Sequence, residues 1–419
     1  MKIKVRSVHY DEVMDKTFPK RKKPLKPNIF WRTLIKILSA SALLPIGFSA
    51  RRIGMEKLGK KEPCLVLMNH SCFNDFEIAS TLLFPRPLNI VTTFDGMVGK
   101  AWLMRQIGCF PTQKYVSDLG LVRDMSYTIK KLKSSILMYP EACYSLDGTA
   151  TVLPDSLGHC IKMLGVPVVM IKTYGAFLRN PLYNNLQTRK VRIRADVEYL
   201  LSPEEIGAKS ADEINATVRE AFTFDAFKWQ KDNGIKIDEP FRADDLDRVL
   251  YKCPHCMAEG QNEGKGIHLT CMACGKVYEL DEYGSMRALD GNTEFYHIPD
   301  WYAWQRQCVR EEIERGEYSL DVPVDIYILA DTKCLYSVGE GRLVHTDDGF
   351  RLTGCEGKLD FTQKTRSSYS LNTDYYWYEM GDVICIGNTK VSYYCFPKGK
   401  ETPVAKVRLA TEELFKLKS

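Results

Sequence analysis

Two Cys-x2-Cys pairs, Cys253/Cys256 and Cys271/Cys274, stand with fourteen residues between them, and no other feature constrains the chain so tightly. Four thiolates on two such hooks converge on one tetrahedral ion and leave no open position, so a structural zinc is expected. Gly275 after the last hook and the polar loop Glu259–Lys265 suit a zinc ribbon over residues 251–281. His255 and His268 are then bystanders, because four cysteines fill the shell. Unligated cysteines are the plain alternative. The segment has no dense basic-aromatic stripe, so no nucleic-acid role follows from it. The remaining cysteines sit mostly in apolar runs, without the dense, even spacing of a small secreted domain. That usage fits a reducing cytoplasm.

With 419 residues there is room for two or three domains. The net charge of +5 is unevenly spread: residues 1–61 hold sixteen Lys/Arg against four Asp/Glu, a balance of +12. A basic N-terminal arm points to a polyanion, either a membrane surface or nucleic acid, with a solvated tail as the bland alternative. The polar start, Met1 to Lys26, carries no cleavable signal pattern. The apolar stretch Ile29–Ala50 is interrupted by Arg32, Lys36 and Pro45, and its uncharged part is shorter than the roughly 20 residues that span a bilayer. Phe30, Leu34, Ile37 and Leu38 share one helical face. Residues 1–50 therefore read as a membrane-leaning segment with an interfacial helix, helped by the Lys20–Lys23 cluster on anionic lipid. A buried helix of a soluble domain is the alternative.

Between residues 51 and 235 strands alternate with helices, the pattern of an α/β domain with helices flanking a sheet. The strands are Leu65–Met68, Leu88–Thr93, Ile136–Tyr139, Val166–Ile171 and the strictly alternating Val191–Tyr199. Amphipathic helices fall on Phe76–Leu83 and Asp118–Lys133, and Ser202 and Ser210 open two more with capping-box chemistry. Residues 298–419 form a β-rich module: a charged helix over Trp301–Arg315, hairpin turns at Asp348-Gly349 and Gly387-Asn388, and a C-terminal helix capped by Thr402. A small sandwich or barrel-like arrangement is expected there, with no recognisable chemistry.

Chemistry concentrates in the α/β part. His70 follows an apolar strand, and Asp75 stands five residues later where a helix begins. An imidazole so placed can take a proton from a hydroxyl while the carboxylate orients the ring and stabilises its charged form. A buried histidine beside a helix-capping aspartate is the competing explanation. Gly108–Lys114 makes a tight loop that ends on a cation, and Tyr139-Pro140-Glu141 puts a carboxylate at another strand end. Strand C-termini gather at one edge of an open α/β sheet, so His70, Lys114 and Glu141 can share a cleft. Cys72 is read as a packing thiol rather than a nucleophile.

The order His-x4-Asp (His70, Asp75), Gly-x-Phe-Pro-x-x-Lys (Gly108 to Lys114), Tyr-Pro-Glu (Tyr139 to Glu141) and Val-Pro-Val-Val (Val166 to Val169) resembles the four-block signature of the glycerolipid (lysophosphatidic acid) acyltransferase family. The run-in Arg52-Ile53-Gly54-Met55-Glu56-Lys57-Leu58 is similar too, and the likeness covers about residues 30–235. It implies transfer of a fatty acyl group from acyl-CoA or an acyl carrier protein to a lipid hydroxyl on the cytoplasmic face of a membrane, by a peripheral or monotopic protein. It also implies His70 as general base and Asp75 as its orienting partner. Gly108, Phe110, Lys114, Glu141 and Ser145 would bind the acceptor, 1-acylglycerol-3-phosphate, to give phosphatidic acid. Three departures stand out. Tyr144 occupies the place of the block's Arg, Lys114 stands where Arg is usual, and Met170 replaces a common second Pro. A point charge is a poorer phosphate clamp than a guanidinium fork. A non-phosphate lipid or glycolipid acceptor is thus one alternative, and a catalytically inactive zinc-ribbon scaffold is another.

Overall fold

The computed structural model describes residues 2–15, 21–116, 118–185, 187–399 and 403–418. Lys20 and Thr402, named above, lie outside them. The chain opens with β1 (Val5–Ser7), α1 (Tyr10–Met14), α2 (Ile29–Leu43), β2 (Ser49–Ile53) and β3 (Leu65–Met68). Next come α3 (Asp75–Leu83), β4 (Leu88–Thr93), α4 (Ala101–Gln106), β5 (Cys109–Thr112), α5 (Leu119–Tyr127) and β6 (Ser135–Met138). They are followed by α6 (Ser156–Leu164), β7 (Val168–Tyr174), α7 (Ala176–Arg179), β8 (Arg194–Leu201), α8 (Pro203–Ala208), α9 (Ala211–Phe222) and α10 (Ala226–Asp232).

These strands make a seven-stranded sheet in the order β2-β8-β7-β3-β6-β4-β5. Its neighbours are parallel except for β7 and β8. All four residues of β3 are buried, and they alternate between two cores. Val66 and Met68 pack with Ile78 and Ala79 of α3, while Leu65 and Leu67 pack with Leu157, Ile161 and Ile214 of α6 and α9. A central strand covered by helices on both faces needs this unbroken apolar run. The strand expected from Val166 starts at Val168, because Pro167 has no N–H to give and contributes only its carbonyl, to the Leu65 N–H at 2.9 Å. Helix α5 is capped by Asp118, whose carboxylate accepts from the Gly120 and Leu121 amides. It widens into a π-helical turn over Thr128–Leu132 and ends at Lys133 in the left-handed region.

A four-stranded antiparallel sheet follows, β9 (Asn262–Lys265) to β12 (Met286–Ala288), with β10 (His268–Cys271) and β11 (Val277–Leu280) between them. After α11 (Ile298–Glu314) come β13 (Leu320–Leu329), β14 (Leu335–Thr346), β15 (Gly349–Gly354) and β16 (Leu359–Lys364). The chain closes with β17 (Asn372–Trp377), β18 (Gly381–Gly387), β19 (Ser392–Pro397) and α12 (Val404–Lys418). Both expected hairpins are present, joining β14 to β15 and β18 to β19. These strands lie in one open sheet, β16-β15-β14-β13-β19-β18-β17, rather than in the expected sandwich or barrel. α11 and α12 pack together, with α12 against β17 and β18.

Among the described residues, the N-terminal segment is not a free arm. β1 adds to the C-terminal sheet, in parallel with β14, and β2 joins the α/β sheet. Arg21 bridges Asp118 and Asp124 at 2.6 Å each, so part of the basic charge is answered within the chain. α2, capped by Asn28, leaves Ile29, Phe30, Ile37 and Leu38 exposed. By length and composition, Ile29–Ile46 is apolar enough to cross a membrane. The shortness argument from its uncharged part is therefore not decisive.

A close helix contact lies where α6 meets α9. A Cβ on Gly158 would lie 2.1 Å from the Ala211 carbonyl oxygen, and the Gly158 amide already donates to Asn215 Oδ1 at 2.7 Å. Gly158→Ala is expected to cost roughly 1–3 kcal/mol in chemical denaturation. A variant as stable as its parent would contradict this close approach.

Candidate active site

The site begins where β3 ends. Asn69 is buried and fastens that end to β7, its side-chain oxygen accepting from the Thr173 amide at 2.8 Å and hydroxyl at 3.1 Å. His70 then leaves the sheet with its imidazole between two aromatic rings, Tyr144 stacked at 3.9 Å and Tyr139 at 4.4 Å between centroids. Asp75 is the first residue of α3 and only 2% exposed. Its Oδ2 accepts from His70 Nδ1 at 2.8 Å and from the Ser71 and Cys72 amides at 2.9 and 3.3 Å. Donation from Nδ1–H to Asp75 makes Nε2 the ring's acceptor, and among the described residues Nε2 has no hydrogen-bonding partner.

Glu141 holds the same turn from the other side. It is buried after β6, with Oε2 accepting from the His70 amide at 2.9 Å. Its Oε1 accepts from the Thr151 amide and hydroxyl at 2.8 and 3.1 Å. Burial pushes this carboxyl up to about 7, against the pull of those hydrogen bonds and of Arg408. The Ser145 amide donates to the His70 carbonyl at 3.4 Å, so the Tyr139–Ser145 loop grips His70 by both backbone groups. Ala142 bends that loop with φ 59°, in the left-handed region. Cys72 is buried, and burial reinforced by the Asp75 charge pushes its thiol well up. It is a packing thiol and not a thiolate nucleophile.

A cavity of about 1730 Å³ opens onto His70, Asp75 and Lys114. Its far wall comes from the C-terminal module, including Arg366, Tyr369, Asp374 and Trp377. Lys114 Nζ donates to Asn372 Oδ1 at 3.2 Å. Asp374 is half-buried on the cavity wall, and desolvation pushes its carboxyl up to about 7 while Lys114 pulls the other way. Gly108, Phe110, Glu141 and Ser145 do not line this cavity, contrary to the expected substrate contact. Gly108 forms the turn between α4 and β5 at φ 94°, where a Cβ would meet the Leu88 carbonyl at 2.9 Å. Phe110 points into the core between sheet and helices, fully buried. Ser145 folds its own loop, donating to the Thr149 carbonyl at 2.6 Å. Glu141 acts on the backbone of His70.

The four cysteines converge as their spacing required, with sulfurs all within 4.8 Å of one another. Cys253–Cys274 and Cys256–Cys271 are 3.9 and 3.6 Å apart. Sulfurs bound to a tetrahedral zinc at about 2.3 Å lie about 3.8 Å apart, so the set fits that ion. Two matching knuckles build it, with the Met257 amide donating to the Cys253 carbonyl and the Gly275 amide to the Cys271 carbonyl. His255 pairs with Glu294 and His268 with Glu279, apart from the sulfurs.

Sequence reasoning missed what Asn69 does at the head of the His70 motif, and it missed Thr151, Asn372 and Asp374. Thr151 is a small polar residue with no motif signal, and the last two lie in the module that showed no chemistry.

No protein-family model matches the chain, and no curated protein matches it. Among solved structures, the 1-acyl-sn-glycerophosphate (LPA) acyltransferase PlsC from Thermotoga maritima is similar at 18% identity and a TM-score of 0.35. That likeness covers 46% of this chain and 76% of the other. So slight a likeness carries no functional argument, and the chemistry must come from the residues themselves.

Between 4.5 and about 7 the folded chain binds a proton on Glu141 that the unfolded chain has released. Its contribution to stability therefore falls as pH rises through that window. Glu141→Gln removes that component, so melting temperatures across the window should fall less steeply with pH than in the parent. At the cysteines, X-ray absorption on purified protein should show a single zinc bound by sulfur alone. Cys271→Ser should lose the metal and broaden thermal unfolding.

Proposed function

We propose that this chain is an acyltransferase that moves a fatty acyl group from an acyl-CoA or acyl-carrier-protein thioester to a lipid hydroxyl. The observation that carries the reading is the His70–Asp75 pair, 2.8 Å apart, on the wall of a cavity larger than the roughly 300–1,000 Å³ of an ordinary ligand site. His70 Nε2 takes the hydroxyl proton as the oxygen attacks the thioester carbonyl carbon. Asp75 stabilises the imidazolium. The tetrahedral intermediate collapses, the carbon–sulfur bond breaks, and the imidazolium proton goes to the departing thiolate. A thioester is already activated, so positioning and one base suffice. The cysteine set would hold zinc as a brace, and no step runs through it.

The block order points to 1-acylglycerol-3-phosphate as acceptor and phosphatidic acid as product, with Lys114 meeting the phosphate. A specific observation favours a second reading, a non-phosphate lipid or glycolipid acceptor. Lys114 is already bonded to Asn372 and faces Asp374, and Tyr144 offers no charge. The outward apolar face of α2 supports docking on the cytoplasmic face of a membrane, as a peripheral or monotopic protein.

Purified protein with acyl-CoA and a panel of lyso-lipids and neutral lipids tests the reading by thiol release. His70→Ala should lower the rate about 10²–10⁴-fold. No His70-dependent release with any acceptor would leave the inactive zinc-ribbon scaffold as the better account. Lys114→Ala separates the acceptors: loss with the phosphate acceptor alone supports phosphatidic acid synthesis, and unchanged turnover supports the second reading.

A further inference from the structure

Two non-glycine residues, one in the loop after β5 and one in the loop after β6, hold left-handed backbone conformations: Tyr115 at φ 57° and Ala142 at φ 59°. That conformation is costly for a residue with a Cβ and persists only where its surroundings impose it. The two loops are bridged at this point. The Tyr115 hydroxyl donates to the Glu141 carbonyl at 3.1 Å, and the same carbonyl accepts from the Cys143 amide at 2.8 Å. The amide bond closes a three-residue turn around Ala142, while the phenol grips that turn from outside. Cys143 Sγ lies 2.8 Å from the hydroxyl, so with the phenol proton given to the carbonyl, the thiol is the donor to the phenol oxygen.

Tyr115 is itself fixed. Its ring meets Tyr369 edge-on at 5.2 Å between centroids. The two residues before it are bonded as well, Gln113 to Ser392 and Lys114 to Asn372, each at 3.2 Å. Three successive side chains thus pin the segment after β5 to the C-terminal module, and from there one hydroxyl reaches Glu141. On the other side of Glu141 stands the base. The carboxylate accepts from the His70 amide at 2.9 Å, and the Ser145 amide donates to the His70 carbonyl at 3.4 Å. Thr151 fixes the second carboxylate oxygen, whereas Tyr115 fixes the main chain that carries the carboxylate.

We propose that Tyr115 is a positioning residue of the active site: its hydroxyl holds the main chain of Glu141, and through the Glu141 carboxylate it holds the backbone of His70. This rests on the acyltransferase reading for its effect on turnover, though not for its effect on the His70 turn. Tyr115 also lines the cavity beside Lys114, so direct contact with substrate is the rival role that the experiment must separate.

The test uses the full chain and Tyr115→Phe, which keeps the ring against Tyr369 and removes the hydroxyl alone. In thiol release from acyl-CoA, kcat should fall about tenfold, the upper range for one lost hydrogen bond, with KM for donor and acceptor within about twofold of the parent. A raised KM at unchanged kcat would assign the hydroxyl to substrate and overturn the proposal. In a Glu141→Ala background the hold on His70 is already gone, so Tyr115→Phe should cost no further kcat; an additive loss there would overturn it too. Hydrogen exchange read by mass spectrometry gives the second readout. Peptides covering residues 69–75 and 139–145 should exchange faster in Tyr115→Phe, while residues 168–174 of β7 keep the parent's rate. Unchanged exchange at 69–75, or faster exchange in β7 as well, would count against a positioning role. If Glu141→Ala does not fold, the exchange pattern of Tyr115→Phe decides. Exchange needs no turnover, so a protein that releases no thiol would defeat the acyltransferase reading without deciding this one.

Discussion

The structure around the candidate base depends on one buried hydrogen bond, from the His70 amide to the Glu141 carboxylate at 2.9 Å. It ties the end of β3 to the loop after β6, two strands that are neighbours in the sheet. Burying a carboxylate without a paired cation is costly, and three donors offset that cost only in part, which is why the group titrates near neutrality. Asp75 shows the contrasting arrangement. It gathers two amides and an imidazole at the start of a helix. One carboxylate fixes the ring and the other fixes the backbone beneath it. His70 has a defined orientation only because both are met.

The C-terminal sheet is a wall of this site. Gln113 donates to Ser392, Lys114 to Asn372, and Tyr378 to Asp95. The Gly99 amide donates to the Thr332 carbonyl. These contacts fall on the loops at the C-terminal ends of β4 and β5, the edge where an open α/β sheet binds its ligands. A sheet that packs onto that edge encloses the cleft and also removes charges from it. Lys114 spends a donor on Asn372 and feels the charge of a half-buried Asp374. The same packing that closes the cavity thus weakens its claim on a phosphate.

What could be read from the sequence was local. His70 and Asp75 lie five residues apart, so one turn and one helix start define their geometry. The cysteine hooks are similarly self-contained, each a short knuckle closed by its own backbone. The buried strands announced themselves by unbroken apolar runs. The errors came from reading a motif position as a contact. Phe110 belongs to the second block, yet β5 turns it into the core, and Gly108 serves the turn before it. The partners of Lys114 and Glu141 were illegible for another reason. Asn372 sits on a strand whose own pattern encodes only a sheet face, Thr151 sits in a loop with no motif, and their roles appear once tertiary packing brings them to Lys114 and Glu141.

The loop after β6 is shaped by two of its own residues. Ala142 adopts φ 59°, a conformation that a glycine would take without steric cost. Tyr144 stacks on His70. Tyr115, on the β5 side, restrains the loop from outside through its hydroxyl. α12 is held in turn through Lys406. Lys406 bridges Glu259, between the two cysteine hooks, and Glu312 of α11, with Lys252 completing the cluster. α12 is therefore tied both to the cysteine ribbon and to α11. A brace at the ribbon makes physical sense of a metal site with no open position, because a fully saturated ion can hold a helix in place while doing no chemistry.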